Sequence, residues 1–536
     1  MDGAGRWSVE FYDFTSELSS AADEQLAGFG DVHERAVRNG ARHGTPVMVG
    51  PSGYPDPRVN LFFRTGAMSG AAVATWRRYA FTLLVWLEFL RVFGRSWDET
   101  TVADVEAFKD WRLTDVRNDG RVLPSSFDTD RAALNTFYTW AAARYDVFNP
   151  VPTVGRQGAW AAWPGDGAAG GDPLRRGRDP LRPAGSARRQ VKWMLRPAFE
   201  QWRDVGLRGY SFEGLRRPQW RGFTEDRDVA FAEGLWGTGL RLREWASVLD
   251  VEVSSAGGER YPRAWLAAAC VKGGRRGRWY RIPRRALGAL GSYLDPVAGS
   301  RAEVVARARD AGRYDRLAGM RVVTGYDPRR RVLFVDGPSG PAPVPVDVLG
   351  PDERRLLFRR APGGLEPLAV WLSVNGLPKK PHGWEDTFAD ANTRIARAWA
   401  FAAGHGPGGV PAAEECPLWC RPHMCRHSFA LKWFSILSVV WEQRLEGFTI
   451  QEMRDLREQF GDIWYQLATM LGHSDPSVTR DYYLEPFTGL QADYLMALLD
   501  EEEQGGVEAL VRAVAGDSVR VLTGPAAVSG GAGVTR

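Results

Sequence analysis

The sequence predicts a mainly α chain with a small β-sheet or hairpin, folded as a helical domain followed by a larger mixed α/β domain. Three observations carry this. Apolar residues recur at helical spacing from Ala71 to Tyr145. A stretch rich in glycine, proline and arginine interrupts the chain between Pro164 and Gly185. Beyond it, two strand-like runs flank a glycine turn. The length of 536 residues fits two or three domains rather than one.

Residues 1–66 mix aromatic with Gly/Pro-rich stretches and show no motif, so they read as an N-terminal extension of unassigned role. In the helical domain, 67–155, Trp76, Tyr79, Leu83, Trp86 or Leu87, and Leu90 form the first helical stripe, which Gly94 ends. A second helix is expected over Val102–Leu113. A third is expected over Asp130–Tyr145, with Leu134, Phe137, Ala141 and Tyr145 on one face. Asn149-Pro150 breaks the pattern. Residues 156–190 read as a basic Gly/Pro-rich linker and 191–500 as the second domain. There, Trp265–Val271 and Arg278–Ile282 flank Lys272-Gly273-Gly274 as a hairpin, and helical periodicity returns from Trp384 to Leu499. Residues 501–536, rich in glycine, alanine and valine, read as a mobile tail.

Composition narrows the function classes. Hydrophobic residues at 44% and charged residues at 25% suit a soluble globular protein. The most apolar run, Phe429–Trp441, is too short to span a bilayer and is interrupted by Lys432. Met1-Asp2-Gly3 does not begin a secretory signal, and four cysteines are too few for a disulfide framework. A cytoplasmic protein without membrane partners is expected. Net charge is only +4, but eight basic residues, among them Arg175, Arg176, Arg178, Arg188 and Arg189, crowd the segment from Gly171 to Arg196. Such a run either follows a phosphate backbone or keeps a linker solvated.

Four segments carry candidate chemistry: Gly237-Thr238-Gly239-Leu240-Arg241-Leu242-Arg243-Glu244; the turn with Lys272; Pro422-His423-Met424-Cys425-Arg426-His427-Ser428; and Leu471-Gly472-His473 leading through Ser474-Asp475-Pro476 to Tyr482. Taken singly, each has a plain structural explanation: a helix arginine paired to Glu244, an exposed turn lysine, a surface His/Arg pair, a packed aromatic. Taken together and in this order, they resemble the tyrosine recombinase (phage integrase) family. Its pattern is Thr-Gly-Leu-Arg-x-x-Glu, a hairpin lysine, His-x-x-Arg-His, Leu-Gly-His, and a tyrosine nine residues further on. Tyr482 stands nine residues after His473.

The resemblance covers roughly Ala71 to Leu499 and implies a helical DNA core-binding (SAM-like) domain followed by a tyrosine recombinase catalytic domain. It implies a site-specific recombinase or integrase that cuts and rejoins DNA through a 3′-phosphotyrosine intermediate, moving a mobile element in or out. Tyr482 would be the nucleophile and Tyr483 its rival. Arg241 and Arg426 would present planar forks to the phosphate, and His423 and His473 would add hydrogen bonds and take the phenol proton. Lys272 would protonate the leaving 5′-oxygen, with Arg275 and Arg276 beside it on the DNA and His427 supporting the site. The implied partners are double-stranded DNA attachment sites, a tetramer on synapsed DNA and an accessory directionality factor. No cofactor is required.

Cys416, Cys420, His423 and Cys425 are close enough to suggest a metal knuckle, but the spacing is unusual and the resemblance gives His423 to the phosphate. Buried thiols and no metal are expected. The chain departs from compact family members where about 150 residues separate Lys272 from His423, with an apparent insertion from about Pro296 to Ala361. It departs again between Arg426 and His473, where Thr449-x-x-Glu452 is a capping-box pattern. Two other readings remain: a type IB topoisomerase-like enzyme and a catalytically silent DNA-binding regulator.

Overall fold

The computed structural model describes residues 5–14, 32–151, 193–253, 262–273, 276–402, 416–445 and 463–473, with Leu181, Pro183, Pro476, Thr479 and the pair Val521–Leu522. Two compact units divide at residues 189 and 190.

In the first unit, β1 (Ser8–Phe11) pairs antiparallel with β2 (Pro46–Val49); α1 (Val32–Arg38) lies between them in sequence. Four helices follow: α2 (Pro57–Arg64), α3 (Val73–Val92), α4 (Val102–Leu113) and α5 (Pro124–Tyr145). Thr101 and Asp104 cap α4 reciprocally, satisfying amides that the helix start leaves open. The third expected helix starts six residues before Asp130, because Pro124 at its first turn is preset for helical φ and has no amide to leave unpaired. Trp76, Leu83, Trp86 and Leu90 of α3 pack with Phe108 of α4 and with Leu134, Phe137 and Ala141 of α5. Each leucine and phenylalanine among them, fully buried, contributes about 1.5–3 kcal/mol. Buried Asp130 ties the three helices, accepting from Arg78 at 2.8 Å, Thr82 at 2.9 Å and Arg112 at 3.0 Å. Met48, Val59, Phe62 and Phe63 join the same core. Residue 66 is therefore no packing boundary.

The second unit is built around α6 (Arg196–Gly206), α7 (Glu225–Thr238), α8 (Leu242–Trp245), α9 (Arg284–Leu294), α10 (Ser300–Asp310) and α12 (Gly383–Ala402), with α11 (Pro351–Arg354) a single turn. Trp202, Phe231, Trp245, Trp371 and Trp384 form its centre, Phe231 stacking on Trp384 at 3.5 Å between ring centroids. Helices α13 (Pro422–Leu445) and α14 (Ile463–Leu471) close one side through Phe429, Leu431, Leu467 and Leu471. The expected hairpin is present but its strands are shorter: β4 (Arg263–Leu266) pairs antiparallel with β5 (Arg278–Arg281), and a 3-10 turn, Ala268–Cys270, leads to Lys272.

The apparent insertion folds as a second β layer. Strands β6 (Arg321–Asp327), β7 (Val332–Val335), β8 (Ala342–Pro345), β9 (Leu357–Ala361) and β10 (Gly364–Pro367) form a sheet of order β10-β9-β6-β7-β8, antiparallel except for β6 beside β9. Pro343 and Pro345 sit on the edge strand β8, where missing ladder amides are tolerated and further pairing is discouraged. Val323, Leu333 and Leu357 pack against Leu249 of the main unit, so the insertion shares a core with it. Near each end of the unit, β3 (Trp193–Met194) pairs in parallel with β11 (Val521–Leu522); the rest of the expected tail lies outside the described residues. The fold is mainly α with small sheets. Among the described residues no helix is long and apolar enough to cross a membrane.

Candidate active site

The Thr-Gly-Leu-Arg-x-x-Glu segment is a helix stop followed at once by a helix start. Helix α7 ends at Gly239 in the left-handed conformation (φ 65°), and a Cβ there would lie 2.4 Å from the Phe429 ring of α13. Only glycine satisfies both demands. The chain then turns into α8, and the Glu244 carboxylate accepts the Arg241 backbone N–H at 2.9 Å. The same carboxylate, buried, accepts from the Arg241 guanidinium at 3.0 Å and from Arg278 of β5 at 2.9 Å. Burial pushes this carboxyl up, but the Arg278 charge and the Arg241 N–H outweigh it and hold it below the usual carboxylate range. Glu244 thus fixes Arg241 to the hairpin strand.

Arg426 sits in the first turns of α13, fully buried. It donates to the Gly239 carbonyl and to the Leu471 carbonyl, each at 2.6 Å, joining the ends of α7 and α14. Its Nη2 also lies 3.0 Å from His473 Nε2. A guanidinium only donates, so Nε2 accepts, the ring is neutral, and its proton sits on Nδ1. That Nδ1 is 2.7 Å from the Thr479 hydroxyl, which accepts from it. Gly472 (φ 68°) makes the turn before His473, and a Cβ there would meet the Arg278 guanidinium at 2.6 Å. The glycine of Leu-Gly-His therefore allows Arg278 to approach.

The imidazoles feel this cationic surround. His473 is pushed down to about 3 by burial and then by Arg426, Arg241 and Arg278. His423, although open to solvent on one side, is pushed to about 4 by desolvation and by Arg426, Arg241 and Lys272. His427 packs edge-to-face on His423, ring centroids 4.5 Å apart, and is pushed to about 3 by burial, His423 and Arg426. Three neutral rings among fixed cations make a cluster whose donors and charge suit an anion with several oxygens.

The structure brings Arg241, His423, Arg426 and His473 together, with Lys272 exposed in its turn and near enough for its charge to reach His423. Arg276 is exposed in the same turn. Tyr482, Arg275, Arg175, Arg176, Arg178, Arg188, Arg189 and the Thr449–Glu452 pattern lie outside the described residues. The cysteines are buried: Cys416 Sγ donates to the Leu418 carbonyl, and Cys420 and Cys425 have their sulfurs 3.7 Å apart. Burial raises the Cys416 and Cys420 thiols, favouring protonated sulfur. Sequence reasoning did not single out Thr479, which accepts the His473 Nδ1 proton, or the Arg278–Glu244 bridge. Thr479 lay within a motif segment, six residues past His473. Nothing local marks Arg278 apart from its neighbouring arginines.

No protein-family model matches the sequence, and no curated protein does. Among solved structures the chain is similar to XerA recombinase, with 14% identity, 82% of this chain and 98% of that chain covered, and a TM-score of 0.28. It is also similar to the XerH site-specific recombinase in a post-cleavage complex, with 11% identity, 81% and 82% covered, and a TM-score of 0.40. A third is the Tn1549 transposon integrase in complex with circular intermediate DNA, with 14% identity, 81% and 98% covered, and a TM-score of 0.38.

Proposed function

We propose that this chain is a site-specific DNA recombinase of integrase type, cutting and rejoining strands through a 3′-phosphotyrosine on Tyr482. The observation that carries the reading is the convergence of Arg241, His423, Arg426 and His473 from three segments, with Arg426 hydrogen-bonded to both the Gly239 and Leu471 motifs. A lone His/Arg pair on a helix would have no reason to join those distant turns.

In this reading the Tyr482 oxygen attacks the scissile phosphorus as the bond to the 5′-oxygen breaks. Arg241, held by Glu244, and Arg426 neutralise charge growing on the nonbridging oxygens. The neutral His423 ring can accept the phenol proton, His473 holds the Arg426 guanidinium through its one acceptor nitrogen, and Lys272 supplies a proton to the leaving 5′-oxygen. Bond energy is kept in the phosphotyrosine, so the 5′-hydroxyl can reverse the step without a nucleotide. The partners are double-stranded attachment sites, synapsed as a tetramer, with an accessory factor setting direction, and the compartment is the cytoplasm.

A pool of nicked duplexes of randomised sequence provides the test without knowledge of the site. The parent protein should yield adducts that survive denaturation, and the trapped sequences should converge. On the selected duplex, Tyr482→Phe should bind but trap nothing. An adduct lost in Tyr483→Phe and kept in Tyr482→Phe would move the nucleophile by one residue. Absence of any adduct from the parent would leave the regulator reading ahead, and relaxation of plasmids without convergent sequences would favour the topoisomerase reading. Since arginine, lysine and histidine supply the charge and protons, cleavage of the selected duplex should persist in excess EDTA without ATP. A strict magnesium requirement for cleavage would contradict the mechanism.

A further inference from the structure

Lys272 is exposed, on a hairpin of two four-residue strands that is too short to hold a fixed position alone. Its approach from β4 runs through the 3-10 turn Ala268–Cys270, preceded by Ala267, whose methyl cannot cap it. The missing acceptor comes from 79 residues away: Oδ1 of Asp347 accepts the Ala268 N–H at 3.0 Å and also the Trp265 indole N–H at 2.8 Å. Asp347 lies in a 3-10 turn of its own, Val346–Val348, which follows β8. The far ends of the two turns are joined as well, since Cys270 Sγ is 3.7 Å from the Leu349 carbonyl. Arg331, from the loop between β6 and β7, covers the Trp265 ring at 4.2 Å.

The Asp347 turn is itself anchored. Buried Arg354 of α11 donates to the Val346 and Leu349 carbonyls on one side, and to the Ser247 carbonyl and both Glu252 carboxylate oxygens on the other. A buried guanidinium with five such contacts has little freedom to rearrange. Position therefore passes from the core through Arg354 to Asp347, and from Asp347 to the turn ahead of Lys272.

We propose that Asp347 is a positioning residue for Lys272: the turn that follows β8 of the inserted sheet caps the turn ahead of the lysine and so sets where the ammonium reaches. The proposal rests on the reading that Lys272 acts in strand cleavage, and its test separates the two. On the selected nicked duplex, Asp347→Ala should slow cleavage roughly 10- to 100-fold, the scale expected for a misplacement of about 1 Å. Asp347→Asn, which keeps an oxygen acceptor, should restore most of the rate. The double variant Lys272→Ala/Asp347→Ala should be no slower than Lys272→Ala alone, because the two act as one unit. A double variant slower by the full Asp347→Ala factor overturns the proposal.

A duplex with sulfur in place of the bridging 5′-oxygen tests the acid role separately, since a thiolate leaves without a proton. If Lys272→Ala recovers on it while the double-variant factors multiply, the acid reading stands and the Asp347 proposal falls. If Lys272→Ala does not recover but the factors do not multiply, the positioning stands and the acid is another group. Hydrogen exchange in the DNA-free full chain gives an independent readout. Asp347→Ala should speed exchange of amides 268–273 about tenfold and leave α7 unchanged, and unaltered exchange at 268–273 overturns the proposal. Should Asp347→Ala fail to fold, Asp347→Leu, which keeps the side chain's bulk but offers the Ala268 N–H no acceptor, replaces it in every arm.

Discussion

His423, His427 and His473 are neutral in the folded protein at pH 7, because burial and the neighbouring arginines penalise an added proton. In the unfolded chain each titrates near its ordinary value of about 6.5. As pH falls through that value, the unfolded chain takes up protons that the folded chain refuses until about 4 for His423 and about 3 for the other two. Their contribution to stability is complete above about pH 6.5 and is lost progressively below it. The midpoint of thermal unfolding should therefore fall between pH 6.5 and 4, and fall less steeply in His427→Asn, which removes the one ring given no part in the proposed chemistry. An identical slope in the two proteins would show that His427 titrates normally.

Helix ends, more than helix bodies, build the site. The stop of α7 at Gly239, the start of α8 at Arg241, the first turns of α13 and the end of α14 at Leu471 meet around Arg426. Termini leave carbonyls and amides unpaired, so they are where a buried guanidinium can find acceptors. Gly239→Ala should be costly on two counts. The left-handed conformation costs a residue with a Cβ about 1–2 kcal/mol, and displacing the Phe429 ring costs about 1–3 kcal/mol more. Denaturant unfolding of the second unit should show a loss of about 2–5 kcal/mol. A midpoint unchanged from the parent would mean that the ring moves aside freely and the glycine is not required.

At the scale of the whole molecule, two units with separate cores are joined through a segment in which basic residues are concentrated, eight against two aspartates between Gly171 and Arg196, while the whole chain carries only +4. If Arg175, Arg176, Arg178, Arg188 and Arg189 follow the DNA backbone, each phosphate contact releases counterions and adds about 0.9 to the slope of log affinity against log salt. Neutralising all five should flatten that slope by up to about 4.5, with little change in which sequence is preferred. Fluorescence anisotropy across a salt series measures it. An unchanged slope assigns the run to solvation of the linker alone.

Much of this was readable in the chain because it depends on local spacing. Helical stripes marked α3, α4 and α5; Lys272-Gly273-Gly274 marked the hairpin; and the ordered motifs picked out Arg241, His423, Arg426 and His473. Turn glycines, caps and periodic apolar faces act within a few residues, so sequence records them directly. Folding alone decided the rest. That 46–64 belongs to the helical core, that the insertion makes a five-stranded sheet, that Glu244 bridges Arg241 to Arg278, and that Asp347 caps a turn 79 residues away all depend on long-range packing. An aspartate or glutamate reads the same in sequence whether it is solvated or binds a distant amide. Its partner is chosen only when burial removes water as the competing acceptor and donor.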